Sequence, residues 1–95
     1  MKLPEFLLIG DSIWSVKLVR KIDYPRHKVR ITVGLADPET CVISLKKSLS
    51  TEDKLEYFVH ELIHALDHEY DLNIPHKLVY KLQKPIADFL RANFL

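Results

Sequence analysis

The sequence predicts an α+β domain, an antiparallel β-meander of three to four strands followed by two helices. Three observations carry this. Apolar residues alternate with period two as far as about residue 47, and from about residue 51 they recur at three- and four-residue spacing. At the junction, Ser50-Thr51-Glu52-Asp53 has the chemistry of a helix start. The 95 residues suit one domain, 1–95, and no repeat, low-complexity tract or linker divides them.

Phe6 to Ile9 forms the first short strand, and Gly10-Asp11 supplies a tight turn into a second strand over 12–22. There Trp14, Val16, Leu18 and Ile22 share one face, while Ser15, Lys17 and Lys21 take the other. Asp23-Tyr24-Pro25-Arg26-His27 is turn chemistry leading to a strand over 28–35, with Val29, Ile31, Val33 and Leu35 inward. Ala36-Asp37-Pro38-Glu39 turns the chain again. The last strand, 40–46, puts Cys41, Ile43 and Leu45 on its apolar face, which makes Cys41 a packing residue rather than a reactive one. Alternation of this kind describes a sheet covered on one side.

The first helix runs from about 51 to about 69, capped by Ser50, with Leu55, Phe58, Val59, Leu62 and Leu66 toward the core. Asp71-Leu72-Asn73 ends it. Pro75 suits the first turn of a second helix, whose apolar face is Leu78, Val79, Leu82, Ile86, Phe89 and Leu90. Pro85 lies inside that helix and predicts a kink or break, because it removes a backbone donor.

A domain of this size buries only about 60–65% of the surface its unfolded chain exposes, so a staple is useful. Cys41 is the only cysteine, which excludes an internal disulfide and fits a reducing compartment. A metal or self-association remains. No apolar run approaches a membrane span, and the start of the chain lacks the pattern of a signal peptide, so the expected location is cytoplasmic. Residues 1–47 carry nine Lys/Arg against five Asp/Glu, and residues 48–95 carry five against eight. The positive excess in Lys17, Arg20, Lys21, Arg26, Lys28 and Arg30 reads first as the solvated face and tip of a hairpin. A nucleic-acid contact there lacks interleaved aromatic residues to support it.

The chemistry lies in His60-Glu61-Leu62-Ile63-His64, an HExxH motif inside the first helix. Histidines at i and i+4 stand one turn apart on one face, where both imidazoles reach one zinc ion at about 2.0–2.1 Å. Glu61 is offset around the helix, so it can take a proton from water polarised by the ion without ligating the ion itself. On a helical wheel both histidines fall away from the apolar stripe centred near Leu55, which argues against two core histidines.

With these residues the chain resembles the zincin metallopeptidases from about residue 28 to 95. The pattern is closest to the small SprT-like and ImmA/IrrE-like types, including compact phage and bacterial versions. The resemblance implies a zincin-like fold, one zinc ion on His60 and His64, and Glu61 as general base. For the third ligand it favours His76, which follows a turn at the start of the next helix, although Lys77 stands where SprT-like proteins usually carry glycine. The thermolysin-like pattern puts its ligand on the second helix, where this chain has Gln83, with Asp88 further along. Asp67 and His68 are further candidates, although a regular helix would place them about 10–12 Å along its axis from His60. The resemblance also implies a peptide or protein substrate, paired in extended form with the strand edge at 42–45. The expected activity is therefore peptide-bond hydrolysis. Its rivals are a zinc-holding module without turnover, and a nucleic-acid-associated protein using the basic hairpin.

Overall fold

The structure, a computed structural model, describes residues 2–22 and 33–95. Six elements follow in order: β1 (Phe6–Ile9), β2 (Ser12–Val19), β3 (Gly34–Asp37), β4 (Val42–Lys46), α1 (Thr51–Tyr70) and α2 (His76–Asn93). The α+β class is as expected. The meander is not. The sheet order is β1-β2-β4-β3, and β4 runs parallel to β2, pairing Ser15 with Val42 through Val19 with Lys46. Successive strands still alternate in direction, but β4 slots between β2 and β3. Alternation fixes which face a strand covers and says nothing about its neighbour. The long stretch 20–33 between β2 and β3 gives the chain room to skip a place. Ile43 and Leu45, both without exposed surface, then occupy the middle of the sheet.

The turn and strand expected over 23–32 lie outside the described residues, and with them Arg26, Lys28 and Arg30. β3 begins later than the strand predicted there and takes in Ala36 and Asp37, which the sequence had suggested as a turn. Cys41 is not part of a strand. It precedes β4 with a left-handed backbone, φ 55°, and is only half-buried. Leu18 shares Trp14's face as predicted, yet it is largely exposed toward the end of β2.

α1 begins where the capping residues predict: the Asp53 N–H donates to Ser50 Oγ at 3.1 Å. It ends at Asp71, whose left-handed conformation lets its N–H reach the Asp67 carbonyl. Trp14 is fully buried and donates from Nε1 to Glu69 at 2.7 Å, while Ser12 Oγ donates to the same carboxylate at 3.0 Å. This clamp fixes the last turns of α1 against β2.

α1 packs on β3, β4 and β1, and α2 packs on α1. The first helix is therefore covered over a wide arc, with Leu55, Phe58, Val59, His60, Glu61, Ile63 and Ala65 all buried. The helix–helix seam is Val79, Gln83 and Ala87, spaced four apart on α2. Leu82, Ile86 and Leu90 flank it, whereas Leu78 and Phe89 are exposed, contrary to expectation. A narrow seam of small and medium side chains brings the two backbones together and leaves the bulkier ones at its margin. α2 is continuous through Pro85, so of the expected kink or break the break does not occur. Pro85 sits on the exposed side, where water can satisfy the carbonyl that loses its donor.

Candidate metal centre

Three histidines converge where α2 starts beside the middle of α1. His64 Nε2 lies 3.2 Å from His60 Nε2, and His76 Nε2 lies 3.3 Å from it. One ring nitrogen from each residue falls within 4.8 Å of the others. Ligands at about 2.05 Å around a tetrahedral ion stand about 3.3 Å apart, so the two short separations match one shared ion. The donor set fits a metal, and ring nitrogens suit zinc among several divalent ions. His60 is buried, His64 half-buried and His76 exposed, which leaves the cluster open on one side.

The helical wheel placed His60 off the apolar stripe, but the residue is only 6% exposed. α2, rather than the sheet, covers it. Here the wheel identified the face correctly and missed the element packed on it.

His76 reaches the pair because the connection between the helices is pinned. Asp67 accepts the Asn73 N–H at 2.6 Å and the Ile74 N–H at 3.2 Å. Asp71 and Asn73 both take left-handed backbones, and Pro75 precedes the first residue of α2. Asp67 thus positions His76 and is not among the converging groups. Asp88 and His68 also lie away from the centre: Asp88 pairs with Lys84 and Arg91 on the exposed side of α2, and His68 is exposed. Gln83 is adjacent to the centre in a supporting place, with its Oε1 at 2.6 Å from His60 Nδ1. Its amide nitrogen donates to Glu56 at 3.0 Å. Such outer partners orient a ligating histidine.

Burial lowers the pKa of His60, with Gln83 opposing and the charge of His76 adding. Burial also lowers that of His64, reinforced by His60 and His76 and opposed by Asp67. Both effects favour the neutral imidazole that a metal requires.

Glu61 leaves α1 toward the sheet. It is 7% exposed, and burial lifts its pKa from 4.5 to about 7, with the Ala36 backbone hydrogen bond pulling the other way. A Cβ on Gly34 would stand 2.9 Å from Glu61 Oε2, so the absence of a side chain there makes room for the carboxylate. A carboxyl with a pKa near 7 exchanges protons readily at neutral pH.

Sequence reasoning missed Glu56 and the supporting place of Gln83, and it did not distinguish Tyr80 from Tyr57 and Tyr70, for all three of which packing is the default. The Tyr80 ring lies 4.9 Å from that of His60 and 4.7 Å from that of His76. Helical spacing held the signal in each case. Glu56 precedes His60 by four residues, and Tyr80 and Gln83 follow His76 by four and seven.

The strand edge expected at 42–45 is not open, since β4 is paired on both sides. Among the described residues the sheet edges are β1 and β3, and β3, which pairs only with β4, is the one whose Gly34 faces Glu61 of α1. No helix among them is long and apolar enough to cross a membrane. Compared with known families, curated proteins and solved structures, the chain finds no match in any of the three.

Proposed function

We propose that the protein is a zinc-dependent metallopeptidase of the zincin kind, with His60, His64 and His76 holding the ion and Glu61 acting as general base. The observation that carries this reading is the convergence of three ring nitrogens, two from the HExxH motif of α1 and one from His76 at the start of α2. The ion, when bound, supplies a Lewis acid that polarises water and the substrate carbonyl. Glu61 would take a proton from the attacking water and pass it to the leaving amine. Its burial makes it a stronger base than an ordinary carboxylate and leaves it protonatable at neutral pH. The exposed side, at His76 and Tyr80, admits the substrate. An extended peptide adding to the edge of β3 that is unpaired among the described residues would run beside Glu61, bound through its backbone with little sequence preference.

The decisive measurement pairs zinc content with cleavage of an unfolded protein substrate. Glu61→Gln should keep one zinc per chain and lose hydrolysis by about 10²–10⁴-fold, the usual contribution of a positioned base. Equal cleavage by wild type and variant would remove the mechanism.

One observation favours a second reading, a zinc-holding module without turnover. The Glu61 carboxylate is packed against Gly34 and Ala36. On this reading Glu61 serves packing alone, and a zinc-loaded wild type cleaves none of a broad panel of substrates.

A further inference from the structure

Every member of the polar chain behind His60 has a fixed hydrogen-bonding capacity, and that capacity dictates where the protons sit. An ionised Glu56 can only accept. The group that Gln83 turns toward it must therefore be the amide NH₂, as the 3.0 Å contact has it. The amide oxygen is then committed to His60 Nδ1, 2.6 Å away, and can only accept there. A proton must occupy Nδ1. The neutral ring consequently carries its lone pair on Nε2, the atom approached by Nε2 of His64 and of His76.

Without Glu56, nothing fixes the direction of the amide. Gln83 could turn over and donate to Nδ1, which would move the proton to Nε2 and close that position to a metal. Gln83 is buried in the helix seam, so water does not compete for its groups. Glu56 stands one turn before the motif on the face of α1 that carries His60 and His64.

We infer that Glu56 and Gln83 form a directional relay that sets the tautomer of His60, making Glu56 a positioning residue for the metal centre although it touches none of the three histidines' converging atoms. The relay's purpose rests on the metal-holding part of the proposed function, but its direction can be read without metal. Gln83, considered from the sequence as a ligand, acts here as the link between a carboxylate and a ligand.

The test uses the full chain after chelation, with zinc as the probe. Long-range ¹⁵N–¹H spectra of the metal-free protein should show His60 as the Nδ1–H tautomer. Gln83→Leu should weaken zinc binding by about 10–100-fold, the range for losing an outer partner of a ligating histidine. Glu56→Ala should populate the Nε2–H tautomer and weaken zinc binding by a smaller factor. Adding it to Gln83→Leu should cause no further loss, since the relay is already cut. The exchange Glu56→Gln with Gln83→Glu preserves direction, because a Gln amide then donates to a carboxylate that accepts from Nδ1. It should restore the wild-type tautomer and most of the zinc affinity, which guards against Gln83→Leu failing merely by misfolding. An Nε2–H tautomer in the metal-free wild type, or fully additive losses from Glu56→Ala and Gln83→Leu, would overturn the relay. A chain with the expected tautomer that binds no zinc would uphold the relay and sink the metallopeptidase reading instead.

Discussion

His60 and Glu61 are adjacent on one helix and almost equally buried, yet their surroundings differ in kind. On the α2 side of α1, His60 has a hydrogen-bond partner in Gln83, which is itself anchored by Glu56. On the sheet side, Glu61 meets the bare Cα of Gly34 and the Ala36 backbone, and desolvation dominates its titration. Covering a helix on both sides thus creates two different environments from consecutive residues. One side satisfies an imidazole, and the other leaves a carboxyl poised near neutrality.

The largest effect expected from breaking this pairing is on the α2 side. His60→Ala and His64→Ala should each abolish tight zinc binding, because two remaining imidazoles hold the ion far less well than three. Elemental analysis of the purified variants checks this, and stoichiometric zinc in the double variant would refute the centre. The Glu61 side should be spared, with the metal-free variants still folding.

Next in size is a pH effect confined to the sheet side. Between pH 4.5 and about 7 the folded metal-free chain holds a proton on Glu61 that the unfolded chain has released. Stability therefore falls as pH rises through that window and levels off above it. At about 1.4 kcal/mol per pH unit the loss is on the order of 3 kcal/mol. His60 and His64 act in the opposite sense, since the unfolded chain takes up their protons as pH drops below 6.5. The difference between wild type and Glu61→Gln isolates the carboxyl. Denaturant titrations of both should diverge with rising pH, in favour of the variant.

Gly34→Ala sharpens the same side without removing a charge. Its new methyl meets Glu61 Oε2 at 2.9 Å and the Leu45 side chain at 3.3 Å, which should cost about 1–3 kcal/mol of stability. Zinc affinity should stay within a few-fold of wild type, and a large loss would mean that the two sides are coupled.

The smallest effect concerns the turn that delivers His76. Asp67→Ala frees the Asn73 and Ile74 amides and should destabilise by about 1–2 kcal/mol. Zinc affinity should fall, but less than in His76→Ala. Calorimetric titration of the two variants would rank them.

Legibility in the sequence followed the range of the interactions. The Ser50 cap, the α1 boundaries, the burial of Trp14 and the spacing of His60 and His64 are local or periodic properties, and each was readable. His76 was favoured by the resemblance, which puts a third histidine after the turn, with Gln83, Asp88, Asp67 and His68 left open beside it. The position of β4 between β2 and β3 was not, because Ile43 and Leu45 state only that one face of their strand is covered. Gln83 looked like a substitute ligand because helical position was known and the distance between helices was not. Gly34 gave no sign of its neighbour, since Glu61 lies 27 positions further along the chain.

The clustering of the metal groups between Glu56 and Gln83 has a consequence for the order of assembly. Bringing His60 to His76 closes a short loop within one helical hairpin, whereas bringing Gly34 to Glu61 requires the sheet to be laid down across α1. Short closures cost less entropy and form sooner. During folding, the three-histidine cluster would therefore exist before the carboxyl is desolvated, and a chain caught midway could offer it to a metal ion with Glu61 still in water.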